Sequence, residues 1–311
     1  MRHRRKWVFI SVTMGVIVNA VILYNYYDDA TFQSLTNVDN SLILALLFTV
    51  LASILLESMK LKTLASQIGV NLRLKESAKL HLVTVFGGYS TPMSAGDTPL
   101  FMLWGLCKKV EMNKWVALSI VKNFLTKLTF MLFLIISLLL TYITDTNAVG
   151  QAIYKVAAIS IIPSTFFSLL VIYKFGLVER FIRLLPKRIK RNWAKGSHIQ
   201  VKQLMSSKII VPYIFTVLYW LVFFCPPLLI AIKMNIEICL VQLYINQFLI
   251  YTTLPFSPLP GGSGVVELIY FSLFIDYIPT GQLVVFILLC RLISYYIPLC
   301  IGACVATKEL K

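Results

Sequence analysis

Six stretches of this chain are apolar over roughly 20 residues, the length an α-helix needs to cross about 30 Å of hydrocarbon. They fall at about 7–27, 41–58, 117–143, 151–175, 209–232 and 281–305, the second being short for a crossing. Apolar residues make up 58% of the 311 and charged residues only 14%, where soluble domains carry roughly 45–50% and 25%. Mean hydropathy is +0.81. The fold class that follows is an all-α polytopic membrane protein. No stretch is long and polar enough for a separate soluble domain, so residues 1–311 read as one membrane domain.

Positive charge orients the spans. Arg2, Arg4, Arg5 and Lys6 place the N-terminus in the cytoplasm. "DDATFQSLTNVDN" has aspartates and no Lys or Arg, so it lies outside. Lys60, Lys62, Arg73, Lys75 and Lys79 return the chain inside, and "TDTNAVGQ" lies outside again. The basic run from Lys174 to Lys208 is inside, as are Lys308 and Lys311, so both termini are cytoplasmic in a cell membrane. The stretch "FGLVERFIRLLPKRIKRNWAKGSHIQ" is either a basic helix on the inner leaflet or a plain positive-inside loop. The net charge of +16 is thereby explained beside anionic lipid, and no nucleic-acid partner is expected. "MRHRRK" with its apolar run is too long for a signal peptide and lacks a small-residue cleavage site, so it reads as a retained anchor.

Six cysteines lie in or beside apolar runs with no CxxC spacing, and His3, His81 and His198 are far apart. No metal and no cofactor is expected.

Two apolar regions have a broken middle: about 77–107, with "STPMSAGD", and about 236–274, with "SPLPGGSG". Were either a full crossing, the later charge pattern would invert. Each is expected to enter and leave on one side as a re-entrant helical hairpin, its broken tip covered by protein. With the flanking spans the hairpins form two similar units of opposite orientation, residues 41–143 and 209–311. An N-terminal anchor (1–40) precedes the first unit, and a span with a basic cytoplasmic loop (144–208) joins the two. Inverted repeats with broken helices meeting at mid-depth are a transporter architecture.

The second break carries the sharper chemistry. Pro255, Pro258 and Pro260 stop a helix, and Gly261, Gly262 and Gly264 let backbone turn or approach closely. A helix starting near Val265 would point unpaired N–H groups at the break, a position that favours anions such as phosphate. Glu267 suits that helix end but competes with an anionic ligand. "GGSG" lacks the Lys-Ser/Thr of a nucleotide loop, so nothing suggests ATP. At the first break Pro92 and Pro99 bracket Gly96 and Asp97. Asp97 is a cation ligand, a proton carrier, a partner of a basic residue, or simply a helix cap. Arg291 sits about ten residues into the last span, where a charge is costly and pairs, with Glu267 the natural partner and Asp97 the other. Lys122 and Lys127 read as snorkelling residues, and Glu57 as interfacial. Asn246 and Gln247 read as partners for backbone groups freed by the break.

"YSTPMSAGDTPLFMLWGLCKKVEMNKWVALSIVKNFLTKL" and "LPFSPLPGGSGVVELIYFSLF" resemble the two signature regions of the flippase-like transmembrane domain of lysylphosphatidylglycerol synthases. The likeness covers most of the chain, and "PLPGGSGVVE" is its more specific part. It implies inward-pointing broken hairpins and the movement of an anionic or aminoacylated phospholipid between leaflets, with a link to antimicrobial-peptide resistance. In the bifunctional members a soluble domain transfers an aminoacyl group from tRNA. The chain given stops at Lys311, so a stand-alone translocase is expected. "GDTP" departs from relatives that often carry a second glycine and an amide or acidic residue, which leaves the role of Asp97 open. The expected lipid site is Pro92, Gly96, Asp97, Pro260, Gly261, Gly262, Gly264, Glu267 and Arg291. The expected partners are a lipid phosphate, the bilayer, and a second copy or a separate synthase. The competing readings are a membrane-embedded lipid-modifying transferase and a lipid-binding regulatory subunit.

Overall fold

The computed structural model of the chain describes residues 39–141, 148–174 and 196–310, with Thr13 and Tyr24 as isolated positions. The expected anchor span 7–27 and most of the basic run after Lys174 lie outside the described residues. Among the described residues every regular element is helical. Five helices are long and apolar enough to cross a membrane: Asn40–Gln67, Met112–Leu140, Gln151–Tyr173, Ser207–Lys233 and Thr280–Glu309.

The first unit is α1 (Asn40–Gln67), α2 (Leu74–Tyr89), α3 (Asp97–Cys107) and α4 (Met112–Thr141). Asp39 caps α1 by accepting from Leu42 N at 2.7 Å. The helix runs nine residues beyond the expected end at residue 58. The polar residues Glu57 and Lys60, which read as a span end, are an ion pair inside the bundle. α5 (Ala148–Tyr173) and the short α6 (Ser197–Leu204) connect the units. The second unit is α7 (Ile210–Phe223), α8 (Pro226–Lys233), α9 (Leu240–Thr253), α10 (Val265–Phe274), α11 (Thr280–Arg291) and α12 (Ile297–Glu309). α7 and α8 are one span interrupted ahead of Pro226 and Pro227. α11 and α12 are one span joined by a π-helical segment, Leu292–Tyr296.

The arms of both breaks are too short to cross on their own. At 1.5 Å per residue the longest, the 16-residue α2, reaches roughly 24 Å. α2 folds back on α3, and α9 contacts α10. The hairpins enter the bundle from opposite ends. α2 and α3 share a core with Leu61, Leu64 and Ala65 near the C-terminal end of α1. α9 and α10 share another with Leu42, Leu46 and Val50 near its N-terminal end. α4 is divided the same way, Phe124 and Leu125 lying in the first core and Phe133 and Leu134 in the second.

α1 packs along α7, and α2 along α12. Gly302 permits the second contact: a Cβ there would lie 2.6 Å from the Leu82 carbonyl oxygen. Small residues allow such close helix approach in membranes.

Candidate functional site: two broken tips and two buried charge clusters

The two breaks meet. The turn Pro92–Ser94 packs on the turns Leu254–Phe256 and Pro260–Gly262, and Met93 N donates to Ser257 O at 3.1 Å. Each break is a proline-initiated 3-10 turn whose second residue is left-handed: Met93 at φ 55 and Gly261 at φ 60. The following residues, Ser94 and Gly262, are left-handed as well. Glycine takes this conformation freely, whereas Met and Ser do so at a cost of about 1–2 kcal/mol each.

At the first tip Thr91 Oγ1 accepts from Gly96 N at 2.7 Å and donates to Gly87 O at 2.8 Å. The arms touch at two glycines: a Cβ on Gly96 would sit 2.3 Å from Gly87 O. Pro92 opens the turn, and Gly96 precedes α3. Asp97 is the first residue of α3, and the position before it, the cap itself, is Gly96. Asp97 pairs with Lys122 on α4, Oδ1 to Nζ 3.0 Å. The basic-partner alternative is the one the structure shows, and Lys122 is not a snorkelling residue.

At the second tip α10 starts at Val265, as expected, after Gly264 at φ +85. Glu267 Oε2 accepts from Gly264 N at 2.8 Å, satisfying one of the helix's orphan donors. Its other oxygen, Oε1, accepts from Arg291 Nε at 2.8 Å, and Arg291 Nη2 donates to Gly261 O at 3.1 Å. The Arg291 side chain is 3% exposed and that of Glu267 is fully buried. The guanidinium lies 4.5 Å from the Tyr295 ring centroid. Arg291 thus holds the helix it faces, through Glu267, and the break itself, through Gly261. Pro260, Gly261 and Gly262 are all buried in this contact. Gln247 accepts from the Tyr270 hydroxyl rather than from freed backbone.

The structure therefore joins the second-tip residues to Arg291 in one cluster and puts Asp97 in another. Sequence reasoning missed most of that other cluster. Glu57 and Lys60 pair at 2.6 Å with side chains 5% and 1% exposed, so Glu57 is not interfacial. His81 is buried within electrostatic reach of Glu57, Lys60, Asp97 and Lys122. Its ring stands edge-on to Tyr219 at 5.8 Å, and Lys60 Nζ lies 6.0 Å from the same ring. The available signal was the i, i+3 spacing of Glu57 and Lys60, which neutralises a buried pair on one helix face. Lys127 points to the connector helix α5, donating to Ser168 Oγ at 2.8 Å.

A cavity of about 30 Å³, room for one water, lies beside His81. Its polar lining is Thr49, Ser53, His81, Tyr89, Tyr219 and Ser294. Among the described residues no group of three or more His, Cys, Asp or Glu is placed to hold a metal ion.

Compared with known proteins, residues 8–302 match the family described as the lysylphosphatidylglycerol synthase TM region. A UPF0104 membrane protein of Archaeoglobus fulgidus is 23% identical over 316 residues, covering 94% of this chain and 94% of that protein.

Proposed function

Because the chain belongs to the lysylphosphatidylglycerol synthase TM-region family, we propose that it moves an anionic or aminoacylated phospholipid between the leaflets of the cell membrane. The observation that carries this reading is the meeting of two broken helices, the second backed by a buried ion pair and the first by a partly exposed one. Charges in a membrane interior are costly and concentrate on substrate pathways. Broken helices bring orphan N–H groups to mid-depth, where a headgroup phosphate has lost its water. A lipid can present that phosphate to the junction of the tips while its tails stay in the bilayer.

In this reading the two units run in opposite directions through the membrane, and both termini are cytoplasmic. Residues 41–143 and 209–311 are the repeats, and Pro92, Gly96, Asp97, Pro260, Gly261, Gly262, Gly264, Glu267 and Arg291 form the lipid path. The test is transfer of headgroup-labelled phosphatidylglycerol and lysylphosphatidylglycerol in proteoliposomes, with wild type beside Glu267→Gln. The wild type moves at least one lipid and the variant does not, because it cannot re-form the ion pair that expels the anion. Well-folded wild type that moves neither lipid sinks the proposal.

A further inference from the structure

Among the described residues one carboxylate lies within ion-pairing distance of Arg291, and that carboxylate has two duties. Glu267 neutralises Arg291 through Oε1 and holds Gly264 N through Oε2. A proton on Glu267 would end the first duty without breaking the second. It would leave Arg291 as an uncompensated charge in a buried site, a state that costs several kcal/mol. A phosphate monoanion arriving at the adjoining tip would remove that cost. Proton and anion together leave the charge of the site unchanged.

We infer that the Glu267–Arg291 pair is a proton-operated latch, so that the tip junction binds a phosphate-bearing lipid headgroup together with one proton. The inference rests on the lipid-translocation reading and names what is bound along with the lipid. The proton forms an O–H bond on Glu267, and the headgroup replaces Glu267 as the counter-ion of Arg291. Return of the proton to water restores the ion pair and releases the anion.

Tyr89 and Ser294 line the 30 Å³ cavity together with His81 and Tyr219, and Lys60 of the Glu57–Lys60 pair lies 6.0 Å from the Tyr219 ring.

The titratable groups around the latch are Tyr89 from α2, Tyr251 from α9, Tyr270 on α10, Cys290 on α11, and Tyr295 and Tyr296 from the π segment. Phenols and thiols ordinarily ionise above the neutral range. Around His81 the facing groups are Glu57 and Lys60 from α1, Asp97 from α3, Lys122 from α4 and Tyr219 from α7.

The experiment measures binding of dioctanoyl phosphatidylglycerol to the purified protein in detergent by calorimetry at about pH 6, 7 and 8. Linked uptake of one proton weakens wild-type binding about tenfold per pH unit as pH rises. Glu267→Gln binds with no such slope. His81→Gln keeps the slope, because it lies in the other cluster and not at the latch. Wild-type binding that is flat with pH overturns the latch, as does a Glu267→Gln slope equal to that of wild type, or no binding at all. Should Glu267→Gln fail to fold, the proton count from wild type in buffers of different protonation enthalpy decides alone, a count of zero being fatal. Proton-linked binding without transfer of labelled lipid would end the translocation reading and leave the latch standing. Lipid transfer with pH-flat binding would do the reverse.

Discussion

Replacing Gly261 by alanine separates two costs that the second tip avoids. Gly261 is left-handed at φ +60, which an L-residue adopts at about 1–2 kcal/mol. Its added Cβ would also lie 1.9 Å from Tyr295 Cε2, well inside contact distance. Tyr295 is 1% exposed and its ring packs over Arg291, so it has little room to retreat. Overpacking of this kind costs roughly 1–3 kcal/mol more, for a total of about 2–5 kcal/mol. Gly69 provides the internal control. It is left-handed at φ +69 in the turn after α1, with nothing within 4 Å of a built Cβ. Gly69→Ala should therefore cost the dihedral term alone, about 1 kcal/mol. Equilibrium unfolding in mixed micelles, followed by helical circular dichroism, measures both variants. A Gly261→Ala loss no larger than that of Gly69→Ala would refute the packing of Tyr295 on the break. Tyr295→Ala in the Gly261→Ala background completes a double-mutant cycle, with an expected coupling of about 1–3 kcal/mol.

Lys60→Met strands the buried Glu57 carboxylate and should destabilise by about 3–5 kcal/mol in the same unfolding assay. Lys122→Met leaves Asp97, whose side chain is 39% exposed, to be solvated, and should cost about 1 kcal/mol or less. The reverse order of the two losses would contradict the burial seen here. Gly87→Ala places a Cβ 2.4 Å from the Gly96 carbonyl oxygen, so it should spread the arms of the first hairpin and lower lipid transfer before it lowers helix content. A cysteine at Thr98 should react with membrane-impermeant maleimide from the cytoplasmic side, and labelling from outside alone would exclude a hairpin entering from the cytoplasm. Glu309 on α12 bridges Lys79 on α2 at 2.6 Å and Lys108 on α3 at 2.9 Å. Because both lysines are partly exposed, Glu309→Gln should lower the melting temperature slightly at low salt and less at high salt.

Where a residue's own chemistry dictates its conformation, the sequence was legible. Pro255 to Gly264 announces a break because proline and glycine carry backbone preferences in their identity, and α10 begins at the residue expected. Arg291 and Glu267 were paired in advance because a lone charge deep in an apolar run has few possible answers. The Glu57, Lys60, His81 and Lys122 cluster was not legible in the same way. Its members come from three helices, and each one alone resembles an ordinary span-end or snorkelling residue. Met93 and Ser94 take left-handed conformations that neither residue type advertises. The contact between the tips imposes the shape that Gly261 and Gly262 adopt freely in the other break.

The π segment Leu292–Tyr296 sets an angle between two loads on one rod. An α-helix turns about 100° per residue, and a π turn spends an additional residue to complete a circuit. Upstream, Arg291 grips the second hairpin. Downstream, Gly302 and Glu309 face the first. The last span is thus a keyed shaft whose two keys stand in different phases, and the bulge is where the phase is stored. Sliding that bulge along the span would rotate the far key while the near one stayed in place. A single-residue deletion between 292 and 296 would turn Gly302 and Glu309 out of their contacts, and would also disturb Tyr295, which packs on Gly261 and on Tyr89. The two halves of the molecule are therefore geared to one another in rotation, in addition to touching at their tips.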